Sequence, residues 1–125
     1  CVVKKMVVDL DIPVEIIGCP IIREPDGLAL SSRNVYLSKD DRTRAVELYK
    51  VLNEISEKVM NGEQIPILVE KAEKRLLGSG FTKVDYLAVC NPNNFKEINS
   101  LEASTYVLGA AWLGETRLID NIQIC

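Results

Sequence analysis

The order of hydrophobic patterns along the chain constrains the fold more than any other feature, because two helical patterns come first and strand patterns follow. Apolar residues at helical spacing predict a long helix that begins at Ser38 and ends at Gly62. A second helix is predicted from Pro66, which suits a first helical turn, to Gly78. Strands are predicted over Lys83–Val89, Tyr106–Leu113 and Thr116–Ile119. This order predicts an α+β domain in which two main helices lie on an antiparallel sheet.

The same patterns predict the core. The chain has 125 residues, of which 47% are hydrophobic, and this is enough to bury a core of useful size. Helical spacing and the most apolar strand together predict the following core residues: Leu48, Leu52, Ile55, Leu68, Ala72, Leu76, Val107 and Trp112.

Two further patterns precede these elements. Met6 and Val7 lie on the apolar face of a predicted helix over Cys1–Asp9, which Pro13 separates from the next segment. Val14–Ile22 is apolar and rich in β-branched residues, a pattern typical of a strand buried on both faces of a parallel sheet. Because the rest of the chain offers little to cover both faces, we expect an exposed apolar surface here.

Charge and hydropathy exclude several classes of function. The net charge of −3 and a pI near 5.0 argue against general nucleic-acid binding. No apolar run approaches the ~20 residues that a membrane span needs, and the first residues do not resemble a signal peptide. We therefore expect a cytoplasmic protein that binds neither nucleic acid nor membranes.

The cysteines and the absence of histidine limit the chemistry. Cys1, Cys19, Cys90 and Cys125 are far apart and form no C-x-x-C pair, and the chain has no His, so a zinc site is not expected. Two disulfides are possible, but thiols of a cytosolic protein are favoured, since nothing else indicates a secreted scaffold. Without His, neither a Ser-His-Asp nor a Cys-His arrangement can form within this chain.

A segment between the first strand pattern and the long helix has the composition of a phosphate site. Ser31, Ser32 and Arg33 place two hydroxyls and a guanidinium side by side. Hydroxyls can donate to phosphate oxygens, and Arg offers a planar fork of donors with a permanent charge. Gly27 allows the preceding loop to fold closely over a ligand.

The whole run Arg23–Leu37, R-E-P-D-G-L-A-L-S-S-R-N-V-Y-L, resembles the signature R-x-x-D-G-L-A-[ML]-S-S-R-N-x-Y-L of the pantoate–beta-alanine ligases, or pantothenate synthetases. Ala110–Asn121, with A-A-W-L-G followed by T-R-L-I-D-N, agrees with the same family. The resemblance implies an incomplete chain. Residues 1–22 are then the last helix and strand of a truncated Rossmann-like nucleotide-binding domain, and residues 23–125 form a C-terminal lid domain.

The resemblance also implies a reaction for the full-length enzyme. ATP and pantoate give an enzyme-bound pantoyl-adenylate and pyrophosphate, and the amine of beta-alanine then attacks to give pantothenate and AMP. Magnesium is expected with ATP. The resemblance implies a homodimer at full length and no synthetase activity in the fragment alone, because the residues that bind pantoate lie upstream.

Site residues carry over position by position. Ile22 aligns with a residue whose backbone contacts adenine. Leu30, Ser31, Ser32 and Arg33 align with the phosphate-binding run, where Arg33 takes the place of a lysine found in the related class I aminoacyl-tRNA synthetases. Arg33 is therefore the predicted catalytic residue, since its charge suits the departing pyrophosphate. No metal ligand is predicted.

Other residues of the two motifs have structural interpretations. An Arg23–Asp26 pair could pin the loop, and Asn34 could close its turn. Arg117 and Asp120 are expected to stabilise the terminal hairpin.

Two alternatives to an enzyme fragment remain open at this stage: a free-standing nucleotide-binding module without catalysis, and a protein-interaction domain that docks a partner through its first helix and strand.

Overall fold

The computed structural model describes residues 2–124 and confirms the α+β prediction. Three strands form one antiparallel sheet in the order β1-β2-β3, with α2 and α3 packed on it. The elements in chain order are α1 (Val2–Asp9), a 3-10 helix (Ser32–Tyr36), α2 (Lys39–Met60), α3 (Ile65–Gly78), β1 (Lys83–Cys90), β2 (Tyr106–Leu113) and β3 (Thr116–Gln123).

The two main helices begin as their sequences predict. Ser38 is the N-cap of α2: its Oγ accepts a hydrogen bond from the Asp41 backbone N–H at 3.1 Å and donates to the Asp41 carboxylate at 2.8 Å. Pro66 lies in the first turn of α3, where its missing N–H leaves no helical bond unmade.

The core lies between the two helices and one face of the sheet. The core prediction is confirmed for all its members except Trp112; the confirmed residues are Leu48, Leu52, Ile55, Leu68, Ala72, Leu76 and Val107. Trp112 is only half-buried, and its indole N–H donates to Asp85 at 3.0 Å. The core prediction was wrong for Trp112 because the polar edge of its ring has a partner at the surface of the sheet.

Close approach of α2 to the sheet depends on Gly109 in β2. A Cβ atom at this position would lie 3.0 Å from side-chain atoms of Leu48 and Leu87 and 3.1 Å from Leu52. The absence of a side chain therefore lets the helix rest directly on the strand.

Residues 2–22 make few contacts with the rest of the fold. The predicted helix is present as α1, and its apolar side chains are mostly exposed, with Val7 the buried one. Val14–Ile22, predicted as a strand, belongs to no strand in the structure. A strand is held by ladder hydrogen bonds to a neighbour, and no strand of the described residues lies beside this segment.

Two of the four cysteines lie among the described residues. Cys19 is an exposed free thiol, and Cys90 is a buried one whose pKa is raised by burial. The predictions for Cys1 and Cys125 fall outside the described residues.

Within residues 2–124, no helix combines the length and apolar character that crossing a bilayer requires.

Candidate functional site

The segment with the phosphate-site composition folds as a short hairpin followed by a 3-10 helix. The Leu30 backbone N–H donates to the Ile22 carbonyl at 2.9 Å, and the Glu24 N–H donates to the Leu28 carbonyl at 2.8 Å. Arg23 and Ala29 form an isolated antiparallel bridge between these two bonds. Local backbone pairing therefore gives the loop a defined shape before any ligand is present.

The hairpin is fixed to the sheet by Arg23. Its guanidinium donates to both carboxylate oxygens of Asp120 in β3, at 2.6 and 2.9 Å, and also to the Gly27 carbonyl at 3.0 Å. The side chains of Arg23 and Asp120 are only 19% and 3% exposed. The Arg23 guanidinium carbon also lies 4.1 Å from the centre of the Tyr49 ring in α2. A bidentate, part-buried pair of this kind is among the stronger side-chain contacts in proteins.

A second ion pair fixes the loop to α2. Arg42 donates to the Asp26 carboxylate at 2.7 and 3.2 Å. The hydrogen bond from Arg42 lowers the pKa of Asp26 below its ordinary value. The suggested Arg23–Asp26 pair is therefore wrong, because each residue bonds to a different partner. Asp120 was expected to stabilise the terminal hairpin. Its carboxylate instead accepts hydrogen bonds from Arg23, which lies 97 residues away in sequence.

Gly27 is the point where the loop touches α2. Its φ is +97°, and a Cβ atom there would lie 2.2 Å from Cδ1 of the Tyr49 ring. A larger residue would therefore have to push away the ring on which Arg23 stacks.

We expect Gly27→Ala to lower the free energy of unfolding by about 2 kcal/mol or more, since left-handed backbone and overpacking each contribute roughly 1–3 kcal/mol. Urea unfolding followed by circular dichroism measures the change. The control is Gly18→Ala, because nothing lies within 4 Å of a Cβ atom at that position. Equal unfolding midpoints for the two variants would contradict this account of the loop.

The 3-10 helix presents Ser31 and Arg33. The Ser31 hydroxyl oxygen accepts from the Arg33 backbone N–H at 3.2 Å, which leaves the hydroxyl hydrogen available to a ligand. The Asn34 side-chain amide donates to the Ala29 carbonyl at 3.1 Å, so Asn34 closes the turn. The Arg33 side chain is exposed, and within residues 2–124 its guanidinium makes no hydrogen bond or ion pair.

Two cavities meet at Arg33. The loop cavity, of about 330 Å³, lies between the hairpin, α2 and β3, and its wall includes Leu30, Ser31 and Arg33. The second cavity, of about 800 Å³, lies between the 3-10 helix and the turn of the β2–β3 hairpin, after which we name it the hairpin cavity. Its wall includes Tyr36 and, again, Arg33. A polyphosphate could therefore contact the Ser31 hydroxyl and the Arg33 fork from one side of the loop.

The structure brings together most, but not all, of the predicted site residues. Leu30, Ser31 and Arg33 line the loop cavity, whereas Ile22 and Ser32 line neither of these two cavities. The Leu30 N–H is already bonded to the Ile22 carbonyl, so Leu30 offers its carbonyl and its 53% exposed side chain. Ile22 has a 71% exposed side chain and lies beside Leu30 through that hydrogen bond.

Sequence reasoning did not find the role of Asp85. Its carboxylate accepts hydrogen bonds from three side chains: Lys83 at 2.7 Å, Trp112 at 3.0 Å and Arg117 at 2.7 Å. These bonds, that of Lys83 foremost, hold the pKa of Asp85 well below its usual range. Lys83 lies two residues away on the same strand, but only the pairing of β1 with β2, and of β2 with β3, brings Trp112 and Arg117 to Asp85, and no spacing in the sequence indicates it.

Similar proteins form a consistent group. The family model for pantoate-beta-alanine ligase matches residues 1–123. Pantothenate synthetase of Caldicellulosiruptor bescii is 43% identical over 124 residues, which is 98% of this chain and 44% of the relative. That of Shewanella loihica is 44% identical over 122 residues, covering 98% of this chain and 43% of the relative. The chain thus spans less than half the length of these curated relatives.

Solved structures agree with the sequence matches. Pantothenate synthetase from Thermus thermophilus has a TM-score of 0.91 at 39% identity, over 98% of this chain and 45% of that one. Pantoate-beta-alanine ligase from Francisella tularensis, in a complex with beta-gamma ATP and beta-alanine, has a TM-score of 0.68 at 28% identity, over 98% and 38%. With both sequence motifs inside the matched region, the chain belongs to the pantoate–beta-alanine ligase family.

Proposed function

We propose that this chain is the ATP-phosphate-binding part of a ligase that joins pantoate and beta-alanine through a pantoyl-adenylate. The observation that carries the proposal is the exposed Arg33 guanidinium, without a partner in the described chain, beside the Ser31 hydroxyl at the junction of two cavities. Arg33 would bind the phosphates of ATP and stabilise the charge that develops on departing pyrophosphate. No covalent protein nucleophile is needed, since adenylation itself activates the pantoate carboxylate.

The remaining site assignments follow from the same loop. We assign Ser31 and Ser32 to the phosphates, the Ile22 backbone to adenine, and Leu30 to the same ATP site through its exposed side chain, since its N–H is already bonded to the Ile22 carbonyl. The Ile22 carbonyl has one hydrogen bond, from the Leu30 N–H, and so retains a second lone pair for a donor. Within the described residues, no group of three His, Cys, Asp or Glu side chains could hold a metal ion. Magnesium that accompanies ATP would be bound mainly by phosphate oxygens and water, as is usual for Mg²⁺ at nucleotide sites, and we assign it no residue here.

We further propose that residues 1–22 belong to a nucleotide-binding domain and residues 23–125 to a lid. The exposed apolar face of α1 and the absence of a strand partner for Val14–Ile22 support this division. The ion pairs of Arg23 and Asp26 attach the hairpin to the sheet and α2, which supports a boundary just before Arg23. A homodimeric, cytoplasmic enzyme completes the proposal.

A hybrid ligase tests the function. In this hybrid, the chain replaces the matched 124 residues of the Caldicellulosiruptor bescii relative. We expect the hybrid to release AMP when ATP, pantoate and beta-alanine are all present. The chain alone is expected to be inactive, and mixing it with the rest of the relative as a separate chain should restore part of the activity, because the two parts rebuild one cleft.

Two results would contradict the proposed function. One is a hybrid that unfolds cooperatively on heating, as a folded protein does, but releases no AMP. The other is robust turnover by the chain alone, which would place a complete catalytic site within these 125 residues. Nucleotide binding without turnover in the hybrid would favour the non-catalytic module.

A further inference from the structure

Arg117 in β3 shares both cavities with Arg33. The two arginines line the loop cavity together with Ser31, and they also line the hairpin cavity. The Arg117 side chain is 39% exposed, so its guanidinium reaches the cavity surface. Two guanidinium groups on one cavity wall can both donate hydrogen bonds to an anion bound there. This placement therefore favours an anionic ligand.

The orientation of Arg117 is set by two neighbouring residues of β1, Asp85 and Tyr86. Its Nε donates to Asp85 at 2.7 Å, and that carboxylate is held in turn by the Trp112 indole and by Lys83. The hydrogen bond to Asp85 raises the pKa of Arg117, with a smaller contribution from Tyr86. A guanidinium carries five N–H donors, so an arginine bonded to a carboxylate through Nε retains donors on its terminal nitrogens. Asp85 thus holds Arg117 in place while leaving N–H donors for a ligand.

The charges around the two cavities favour the loop cavity as the anion site. The hairpin cavity has two carboxylates on its wall, Asp41 and Glu115, which balance the two arginines. The loop cavity has one carboxylate, Asp120, and its charge is already paired with Arg23. Arg117 is likewise paired, with Asp85, so an anion in the loop cavity would face the unpaired Arg33 and the paired Arg117, and no unpaired carboxylate on that wall.

We propose that Arg117 is a second cationic contact for the polyphosphate, and that Asp85 is the positioning residue that aims it. This inference rests on the proposed function, because it names a further residue of the same site. Arg33 would approach the phosphates from the 3-10 helix and Arg117 from β3, so that pyrophosphate is held from two sides while it departs.

Isotope exchange between pyrophosphate and ATP in the hybrid ligase tests the assignment. Arg117→Gln is expected to raise KM for both ATP and pyrophosphate about tenfold or more, in line with loss of a charged donor, while KM for pantoate stays unchanged. Arg117→Lys should recover part of the affinity, because it keeps the charge but not the fork. Asp85→Asn should raise the same two KM values by a smaller factor.

The matched control is Arg75→Gln. Arg75 is also an ion-paired arginine, but its partners are Glu47 and Glu54 on α2, and none of these three residues lines either cavity. Arg75→Gln should leave the KM values for ATP, pyrophosphate and pantoate equal to those of the parent hybrid. If Arg117→Gln does not fold, Arg117→Lys decides: a raised KM for pyrophosphate supports the proposal, and parent values overturn it.

Calorimetric binding of pyrophosphate separates this inference from the proposed function. A parent hybrid that binds pyrophosphate but carries out no exchange would contradict the proposed function alone. Even in that case, the assignment of Arg117 to the anion site is supported if Arg117→Gln lowers the affinity for pyrophosphate and Arg75→Gln leaves it unchanged. A folded Arg117→Gln variant with parent affinity for pyrophosphate overturns the assignment, whatever the activity.

Discussion

Replacing Arg33 by Ala is expected to slow pyrophosphate–ATP exchange in the hybrid ligase about a hundredfold or more. The side chain is exposed and makes no hydrogen bond or ion pair within residues 2–124, so its removal leaves no unpaired group behind in the fold. The loss would therefore report on transition-state stabilisation, for which one preorganised donor contributes about 10²–10³ in rate. The melting temperature of Arg33→Ala should equal that of the parent.

Arg33→Lys distinguishes charge from geometry in the same assay. Lys keeps the positive charge but presents it as a point rather than a planar fork. We expect an exchange rate between those of the parent and Arg33→Ala. An unchanged exchange rate in Arg33→Ala, at saturating and at limiting ATP, would remove Arg33 from the proposed role.

Leu52→Ala is expected to lower the free energy of unfolding by about 2–5 kcal/mol. Leu52 is fully buried on α2, and its Cδ2 lies close to the backbone of Gly109 in β2. Truncation would leave a cavity that the helix cannot close, because the strand already limits its approach. Such a loss is a large fraction of the roughly 5–15 kcal/mol by which domains are stable.

Urea unfolding of Leu52→Ala and Leu77→Ala gives the comparison. Leu77 lies on α3 and is 50% exposed, so its truncation should change stability by less than about 0.5 kcal/mol. Equal midpoints for the two variants would show that Leu52 does not belong to the core.

Local patterns predicted those elements that form within a short stretch of chain. The long helix from Ser38, the helix containing Pro66 and the strand Tyr106–Leu113 all follow from the spacing of apolar residues, which burial on one face requires. β3 extends to Gln123, beyond its predicted end at Ile119, because β2 offers pairing partners along its whole length. Periodicity within one strand does not contain that information.

In the candidate site, too, features that lie close together in the sequence were predicted and long-range contacts were not. The motif around Ser31 and Arg33 was visible as a run of residues, because the proposed phosphate contacts are neighbours in the sequence. The Arg23–Asp120 pair was not, since its partners meet only when the hairpin folds against β3. Trp112 was expected in the core because an indole is large and apolar; its N–H partner Asp85 lies on another strand. Long-range polar pairs of this kind have no periodic signature.

In the proposed ligase, the double attachment of the hairpin has a consequence for product release. Arg23 joins it to β3 and Asp26 joins it to α2, whereas no backbone–backbone hydrogen bond joins residues 15–21 to the rest of the described chain. We therefore expect any swing of the sheet to carry Arg33 with it, with the pivot in the segment before Ile22. Pyrophosphate could then leave when the whole body tilts away, without the loop having to melt and refold in each turnover.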